Sequence, residues 1–207
     1  MNVLETIRTI QLVPLIVLDD AKDAPCFAQA LVNGGIPIAE VTFRTAAAEE
    51  TIRKMSSEVP DILVGAGTVH TCEQAQTAVN AGAQFIVTPG MNPAVVRWCQ
   101  EHEVAVIPGT VTPADLEVAL QLGLSVCKFF PAEAYGGVKT LKALAGPYAE
   151  ISFMPTGGVN EANMNDYLSL ANVIAVGGSF MAPDALVKGK RWNEITALCQ
   201  SIKKAIV

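Results

Sequence analysis

The segment from Ser125 to Pro131 (SVCKFFP) places one lysine, Lys128, in the middle of an apolar, β-prone run. A lysine head group among valine, cysteine and phenylalanine side chains loses hydration, which disfavours its charged form. The uncharged amine is a nucleophile toward ketones and can form a Schiff base. The other eight lysines lie in polar or helix-surface contexts, so Lys128 is the candidate nucleophile. The alternative is a lysine whose stem is buried while its tip is paired with a carboxylate or reaches water.

Glu40 is the second candidate, because it also lies in an apolar segment, IPIAEVTF over residues 36–43. A carboxylate placed there loses solvation, which favours its protonated form and suits it to general acid–base chemistry. The alternative is a structural ion pair with Arg44, four residues further on. Arg44 itself follows the predicted strand, where a guanidinium suits bidentate binding of a carboxylate or phosphate; a solvated loop arginine is the other interpretation.

Thr68 follows Gly65-Ala66-Gly67 and could donate its hydroxyl to the same anion, although threonines also simply begin helices. Two glycine pairs provide a further pattern: Gly157 and Gly158 follow Thr156, and Gly178 precedes Ser179 in VGGS. Paired glycines allow backbone N–H groups to turn toward an anion, and the start of a following helix adds a favourable dipole. The two pairs together predict a phosphate site; tight strand–helix turns are the alternative.

Short apolar runs alternate with amphipathic segments along the whole chain, which predicts parallel strands that are covered on both faces by helices. The predicted strands are 13–18, 38–43, 63–67, 85–88, 104–107, 126–130, 152–154 and 173–176. An additional helix is predicted at residues 2–9 and a last one at 193–205. Eight β-α pairs predict an α/β fold, a (β/α)8 TIM barrel with an extra N-terminal helix, as a single domain over residues 1–207. The alternative, an open doubly wound sheet, usually carries a GxGxxG turn, which no part of this sequence matches.

Unusual residues recur at the ends of these strands, at intervals of 19 to 28 residues, or one β-α unit each. They are Pro14, Glu40, Thr68, Pro89, Pro108, Lys128, Thr156 and Gly177. In a barrel the carboxyl ends of the strands converge on one mouth, so we expect these scattered residues to form one pocket.

Composition limits the possible functions. A net charge of −6 argues against nucleic-acid binding, which needs a basic face. No apolar run approaches the ~18 residues of a membrane helix, so no membrane partner is expected. Five cysteines without CxxC spacing indicate reduced thiols in a cytoplasmic protein. The two histidines fit no ligand pattern, so neither a metal nor another cofactor is expected.

Several motifs occur together and in order. They are EVTFRT from Glu40, GAGTV from Gly65, TPG from Thr88, PG from Pro108, KFFPAE from Lys128, PTGG from Pro155 and GGS from Gly177. With them the sequence resembles, over nearly its whole length, the family of 2-keto-3-deoxy-6-phosphogluconate (KDPG) and 4-hydroxy-2-oxoglutarate (KHG) aldolases. The resemblance implies a homotrimeric class I aldolase that needs no metal, and a phosphorylated keto acid as its small-molecule substrate. Phe43 and Tyr135 are variations on the family pattern.

The resemblance also implies a role for each site residue. Lys128 corresponds to the Schiff-base lysine and Glu40 to the general acid–base. The expected substrate contacts are Arg44 and Thr68 for the pyruvate carboxylate, Pro89 and Phe130 in the pocket wall, and Thr156, Gly157, Gly158, Gly178 and Ser179 around the phosphate. The expected reaction cleaves KDPG to pyruvate and glyceraldehyde 3-phosphate, and KHG to pyruvate and glyoxylate.

Three other interpretations remain open at this stage. The enzyme could prefer the phosphogalactonate analogue or unphosphorylated hydroxy-oxo acids, since residue types do not reveal stereochemistry at C4. A phosphate-binding isomerase or epimerase would share the glycine pairs but would not need a buried lysine. A phospho-sugar binding protein without catalysis would form no imine and has no use for Glu40.

Overall fold

The computed structural model describes residues 2–206 as alternating strands and helices. The strands are β1 (Leu12–Ile16), β2 (Ile38–Thr42), β3 (Leu63–Gly67), β4 (Phe85–Val87), β5 (Ala105–Ile107), β6 (Gly109–Thr110), β7 (Val126–Phe129), β8 (Ser152–Pro155) and β9 (Val176–Gly178). The helices are α1 (Val3–Ile10), α2 (Ala24–Asn33), α3 (Ala48–Glu58), α4 (Cys72–Asn80), α5 (Pro93–Glu101), α6 (Pro113–Gln121), α7 (Gly137–Leu144), α8 (Met164–Leu168), α9 (Asp184–Lys188) and α10 (Trp192–Lys204).

All strand pairs are parallel, which confirms an α/β fold. One sheet has the order β5-β4-β3-β2-β1-β9, and a second has the order β6-β7-β8. Two features connect the sheets: β6 follows β5 after the single residue Pro108, and an isolated parallel bridge joins Thr156, just after β8, to Gly177 in β9.

The strands are apolar because both of their faces are buried in the core. All five residues of β2 and all four of β7 are buried. Within these strands the buried polar side chains Glu40, Thr42 and Lys128 are exceptions. Burying an ionisable side chain costs solvation free energy, so Glu40 and Lys128 indicate function rather than packing.

Side-chain caps fix the starts of three helices. Thr71 accepts a hydrogen bond from Gln74 N–H, and Asn92 accepts from Ala94 N–H immediately before Pro93. Thr112 accepts from Asp115 N–H, and the Asp115 carboxylate accepts from Thr112 N–H, which completes a capping box.

Two strands differ from the sequence prediction. The predicted strand at 173–176 makes only an isolated bridge between Val173 and Phe153, and the regular strand β9 begins at Val176. Apolar content placed this strand too early in the sequence, because the last two residues of β9 are glycines. The short β6 was also missed, because Pro108 has no N–H for the ladder and interrupts the pattern. Among residues 2–206, no helix has the length and apolar character to cross a membrane.

Candidate active site

Lys128 and Glu40 form a buried pair, although 88 residues separate them in sequence. Lys128 Nζ lies 3.2 Å from Glu40 Oε1, with side-chain exposures of 6% and 0%. The alternative pairing of Glu40 with Arg44 does not occur, because Glu40 pairs with Lys128 instead. A separation of 3.2 Å is within hydrogen-bond reach, which is the distance that direct proton transfer between the two groups requires.

The strands determine this geometry. Glu40 is the central residue of β2, whose neighbour β3 contributes Gly67 beside it. A Cβ at Gly67 would overlap Glu40 Oε1, so only glycine leaves room for the carboxylate there. On the other side, Lys128 Nζ lies 5.2 Å from the centre of the Phe130 ring, within the range of a cation–π contact.

Two buried polar atoms near this pair have no hydrogen-bond partner among the described residues: Glu40 Oε2 and Thr156 Oγ1. Unpaired buried oxygens are unfavourable in a core, where each loses solvation without compensation. In a binding site they are available to a substrate.

A cavity of about 410 Å³ lies at the carboxyl ends of the strands. Its lining includes Thr42 and Phe130, which come two residues after Glu40 and Lys128. Since alternate residues of a strand point to the same face, the ion pair lies one layer below the cavity floor. Seven predicted substrate contacts line it: Arg44, Phe130, Thr156, Gly157, Gly158, Gly178 and Ser179.

Residues 157–159, here called the glycine loop, have an arrangement suited to an anion. Gly157 O accepts a hydrogen bond from Glu133 N–H at 3.0 Å. Gly158 O accepts from the side-chain amides of Asn160 and Asn163 at 3.1 and 3.2 Å. In a trans peptide the N–H group points away from the carbonyl oxygen of the same peptide. The hydrogen bonds accepted by Gly157 O and Gly158 O therefore fix the N–H groups of Gly158 and Val159, which point away from those donors. Neither N–H has an acceptor within residues 2–206, and both residues line the cavity.

The left-handed φ values of Gly157 (+95°) and Gly158 (+85°) explain why this loop uses glycine. Across the cavity, Gly178 leads into a short 3-10 turn at Ser179–Met181, and the exposed Ser179 lies at its start. A short turn of this kind leaves its first N–H groups without internal partners. The cavity is therefore bordered by backbone donors on two sides.

Thr68 and Pro89 lie at strand ends but do not line this cavity, and neither do the buried Lys128 and Glu40. Thr68 has a φ of +59°, which is a strained conformation for a β-branched residue. The carbonyl of Pro89 lies so close to Gly109 that a Cβ there would overlap it. These two residues thus lie among the strand ends, and their predicted substrate contacts remain predictions.

The cavity wall also contains residues that the sequence did not single out, including Val159, Asp184 and Val187. Asp184 begins the short helix α9, and no motif distinguishes it from any other helix-starting aspartate. Within residues 2–206, no group of three or more His, Cys, Asp or Glu side chains could hold a metal ion.

Comparisons with known proteins find relatives over nearly the whole chain. Residues 3–198 match the family model described as KDPG and KHG aldolase. The chain is 44% identical to the 2-dehydro-3-deoxy-phosphogluconate aldolase of Haemophilus influenzae, over 97% of this chain and 95% of that protein. Its fold is similar to that of the KDPG aldolase from Legionella pneumophila with pyruvate captured as a covalent carbinolamine intermediate (TM-score 0.93, 38% identity, coverage 97% and 98%). It is also similar to that of the Zymomonas mobilis ZM4 enzyme with 3-phosphoglycerate (TM-score 0.90, 34% identity, full coverage of both chains).

Proposed function

We propose that this chain, which belongs to the KDPG and KHG aldolase family, is a class I aldolase that cleaves KDPG to pyruvate and glyceraldehyde 3-phosphate. The observation that carries the proposal is the buried contact between Lys128 Nζ and Glu40 Oε1 beneath a cavity with backbone donors. A nucleophilic amine, an adjacent proton carrier and an anion site are the three groups that this chemistry requires.

In the proposed mechanism, Glu40 takes a proton from Lys128 and leaves the amine uncharged. The amine attacks the C2 ketone to give a carbinolamine, which loses water to form a cationic iminium. The iminium accepts the electrons of the C3–C4 bond as that bond breaks, a role that a metal ion fills in other aldolases. Glu40, acting through a water, removes the C4 hydroxyl proton, and glyceraldehyde 3-phosphate leaves. The enamine is then protonated at C3, and hydrolysis releases pyruvate and restores Lys128.

The remaining site residues hold the substrate at its two charged ends. Arg44 and Thr68 bind the carboxylate of the keto acid, with Pro89 and Phe130 as the apolar walls around C2. The phosphate binds the N–H groups of the glycine loop and of the turn that Gly178 and Ser179 begin, where Thr156 contributes its unpaired hydroxyl. The 3-phosphoglycerate bound to the Zymomonas mobilis protein supports a phosphorylated substrate.

The family description also names KHG, and we propose cleavage of KHG to pyruvate and glyoxylate as a second activity. The keto-acid end is common to both substrates, so the same imine forms. KHG has no phosphate for the glycine loop, so KDPG is the expected better substrate. The ratio of kcat/KM for KDPG, KHG and the phosphogalactonate analogue decides which substrate is preferred.

For the whole chain we propose one closed (β/α)8 barrel domain with α1 as an extra N-terminal helix. The strand pairing supports this closed barrel. The pairing is continuous when β5 and β6 are counted as one strand interrupted at Pro108, and when the Thr156–Gly177 bridge is taken to join β8 to β9. The family resemblance supports a homotrimer, which a mass measurement in solution tests. The free state of all five cysteines fits a reducing, cytoplasmic location.

Borohydride trapping with pyruvate tests the proposal. We expect a pyruvate-derived adduct on the peptide that contains Lys128, and no adduct in Lys128→Met. Lys203→Met is the matched control. Burial lowers the pKa of Lys203 and so makes it a second candidate amine, but Lys203 lies far from the cavity. A normal adduct yield in Lys128→Met would refute the assignment.

A further inference from the structure

Glu133 and Tyr167 form a contact behind the glycine loop to which no role has yet been given. The hydroxyl of Tyr167, in α8, donates a short hydrogen bond to Glu133 Oε1. Tyr167 is fully buried, whereas Glu133 belongs to an exposed 3-10 turn after β7. The contact therefore joins the segment that follows the lysine strand to the helix that follows the glycine loop.

Glu133 also contacts the glycine loop itself. Its N–H donates to Gly157 O at 3.0 Å, while the preceding Ala132 N–H donates to Thr156 O at 2.8 Å. Its side-chain Cγ lies against Gly158, so closely that a Cβ there would overlap it. Glu133 thus contacts two consecutive residues of the loop, one through its backbone and the other through its side chain.

The position of the Glu133 carboxylate matters electrostatically. A carboxylate beside an anion-binding loop repels a phosphate, and the repulsion grows as the distance between the two charges falls. The Tyr167 hydroxyl holds Oε1 on the side of α8. Burial and the Glu133 contact raise the pKa of Tyr167, so the phenol remains a proton donor over the working pH range.

We propose that Glu133 and Tyr167 are positioning residues for phosphate recognition. The pair fixes the Gly157–Gly158 peptide so that the N–H group of Gly158 faces the substrate phosphate, and it holds a carboxylate away from that phosphate. The inference rests on the proposed function, because it assumes that the phosphorylated end of KDPG binds the glycine loop. Neither side chain lines the cavity, so neither is a catalytic residue.

The test compares a phosphorylated and an unphosphorylated substrate in Tyr167→Phe, which removes one hydroxyl and retains the buried ring. We expect KM for KDPG to rise about tenfold, the scale of one lost hydrogen bond to a charged group. We expect little change in kcat, in kcat/KM for KHG, or in the yield of the borohydride adduct with pyruvate. The double variant Tyr167→Phe/Glu133→Gln also lacks the carboxylate charge. Its KM for KDPG should therefore fall part of the way back toward the wild-type value.

The chain contains a matched control in Tyr148→Phe. Tyr148 also donates to a glutamate, Glu117, at 3.1 Å, but that pair joins the loop after α7 to α6 and does not contact the glycine loop. Removing the Tyr148 hydroxyl should leave the KM for KDPG and the KM for KHG unchanged. Equal losses on KDPG and KHG in Tyr167→Phe, or none on either, would overturn the inference. A wild-type protein that forms no imine and cleaves neither substrate would instead refute the proposed function itself.

Discussion

At the scale of single residues, the buried Lys128–Glu40 contact gives each partner a separate and testable role. Glu40→Gln retains the shape of the side chain but can no longer accept a proton. We expect kcat for KDPG to fall by ~10²-fold or more, the usual scale for loss of an acid–base group. Imine formation with pyruvate should become slower but persist, because the amine of Lys128 remains and water can take its proton in place of Glu40. Steady-state kinetics and borohydride trapping measure the two properties separately.

Glu117→Gln provides the control for Glu40→Gln, since it neutralises another glutamate that accepts a side-chain hydrogen bond, but away from the cavity. It should leave kcat unchanged. A wild-type rate in Glu40→Gln would remove Glu40 from the mechanism and leave its burial in β2 unexplained.

The residue types alone predicted Lys128 as a nucleophile and Glu40 as a proton carrier, because ionisable groups in apolar strands are unusual enough to stand out. The strand-end pattern placed the two in one pocket, but it did not predict that they would form an ion pair. The alternative ion pair considered for Glu40 involved Arg44, since proximity in sequence was the only available guide to a partner. A contact between strands 88 residues apart depends on the order of the strands, which residue types do not specify.

At the scale of elements, the caps fix where the helices begin and so where the loops around the cavity start. Asp115 in α6 accepts hydrogen bonds from Val111 N–H, Thr112 N–H and the Thr112 hydroxyl at 2.8–3.0 Å. Partial burial raises the pKa of this carboxyl, but the three hydrogen bonds outweigh burial and hold the pKa below its usual value. Asp115 therefore stabilises the fold above its unfolded-state pKa, and this contribution is lost as the pH falls through its pKa in the folded protein.

Asp115→Ala removes the acceptor from all three donors. We expect the free energy of unfolding at neutral pH to fall by about 1 kcal/mol, the usual effect of losing a cap. The difference from wild type should shrink in acid, where Asp115 is protonated in both states. Urea unfolding at neutral and acidic pH measures this. The control variant Glu101→Ala, at an exposed position, should change the free energy of unfolding by less than about 0.5 kcal/mol. An equal effect from Asp115→Ala and Glu101→Ala would contradict the capping role.

Elements were predictable from sequence where local chemistry determines them. Asn92-Pro93 and Thr112-Pro113 begin helices because the side chain satisfies backbone N–H groups that no neighbouring turn can reach. The strand β9 was not predictable in the same way, since Gly177 and Gly178 supply no apolar side chain. The bridge between Gly177 and Thr156 depends on a residue 21 positions earlier, which no local pattern contains.

At the scale of the whole molecule, the cysteines connect core packing to pH. Cys99, Cys127 and Cys199 are fully buried, and burial raises the pKa of each thiol to about 12 from a reference value of 9.0. The thiols therefore stay protonated in the folded protein at pH values where the unfolded chain has lost those protons. A group with a raised pKa in the folded state contributes its full stability below the unfolded pKa and loses it as the pH rises.

The free energy of unfolding should therefore decrease as the pH rises above about 9, by up to about 1.4 kcal/mol per pH unit for each buried thiol. Urea unfolding at several alkaline pH values gives the slope. Cys199→Ala should make the slope shallower, because one of the three groups no longer titrates. Cys26→Ala removes an exposed thiol and should leave the slope unchanged. Cys127 and Lys128 belong to the same strand, β7, so alkaline unfolding should abolish imine formation and tertiary structure together. Imine loss at a pH where the fold is intact would contradict this coupling.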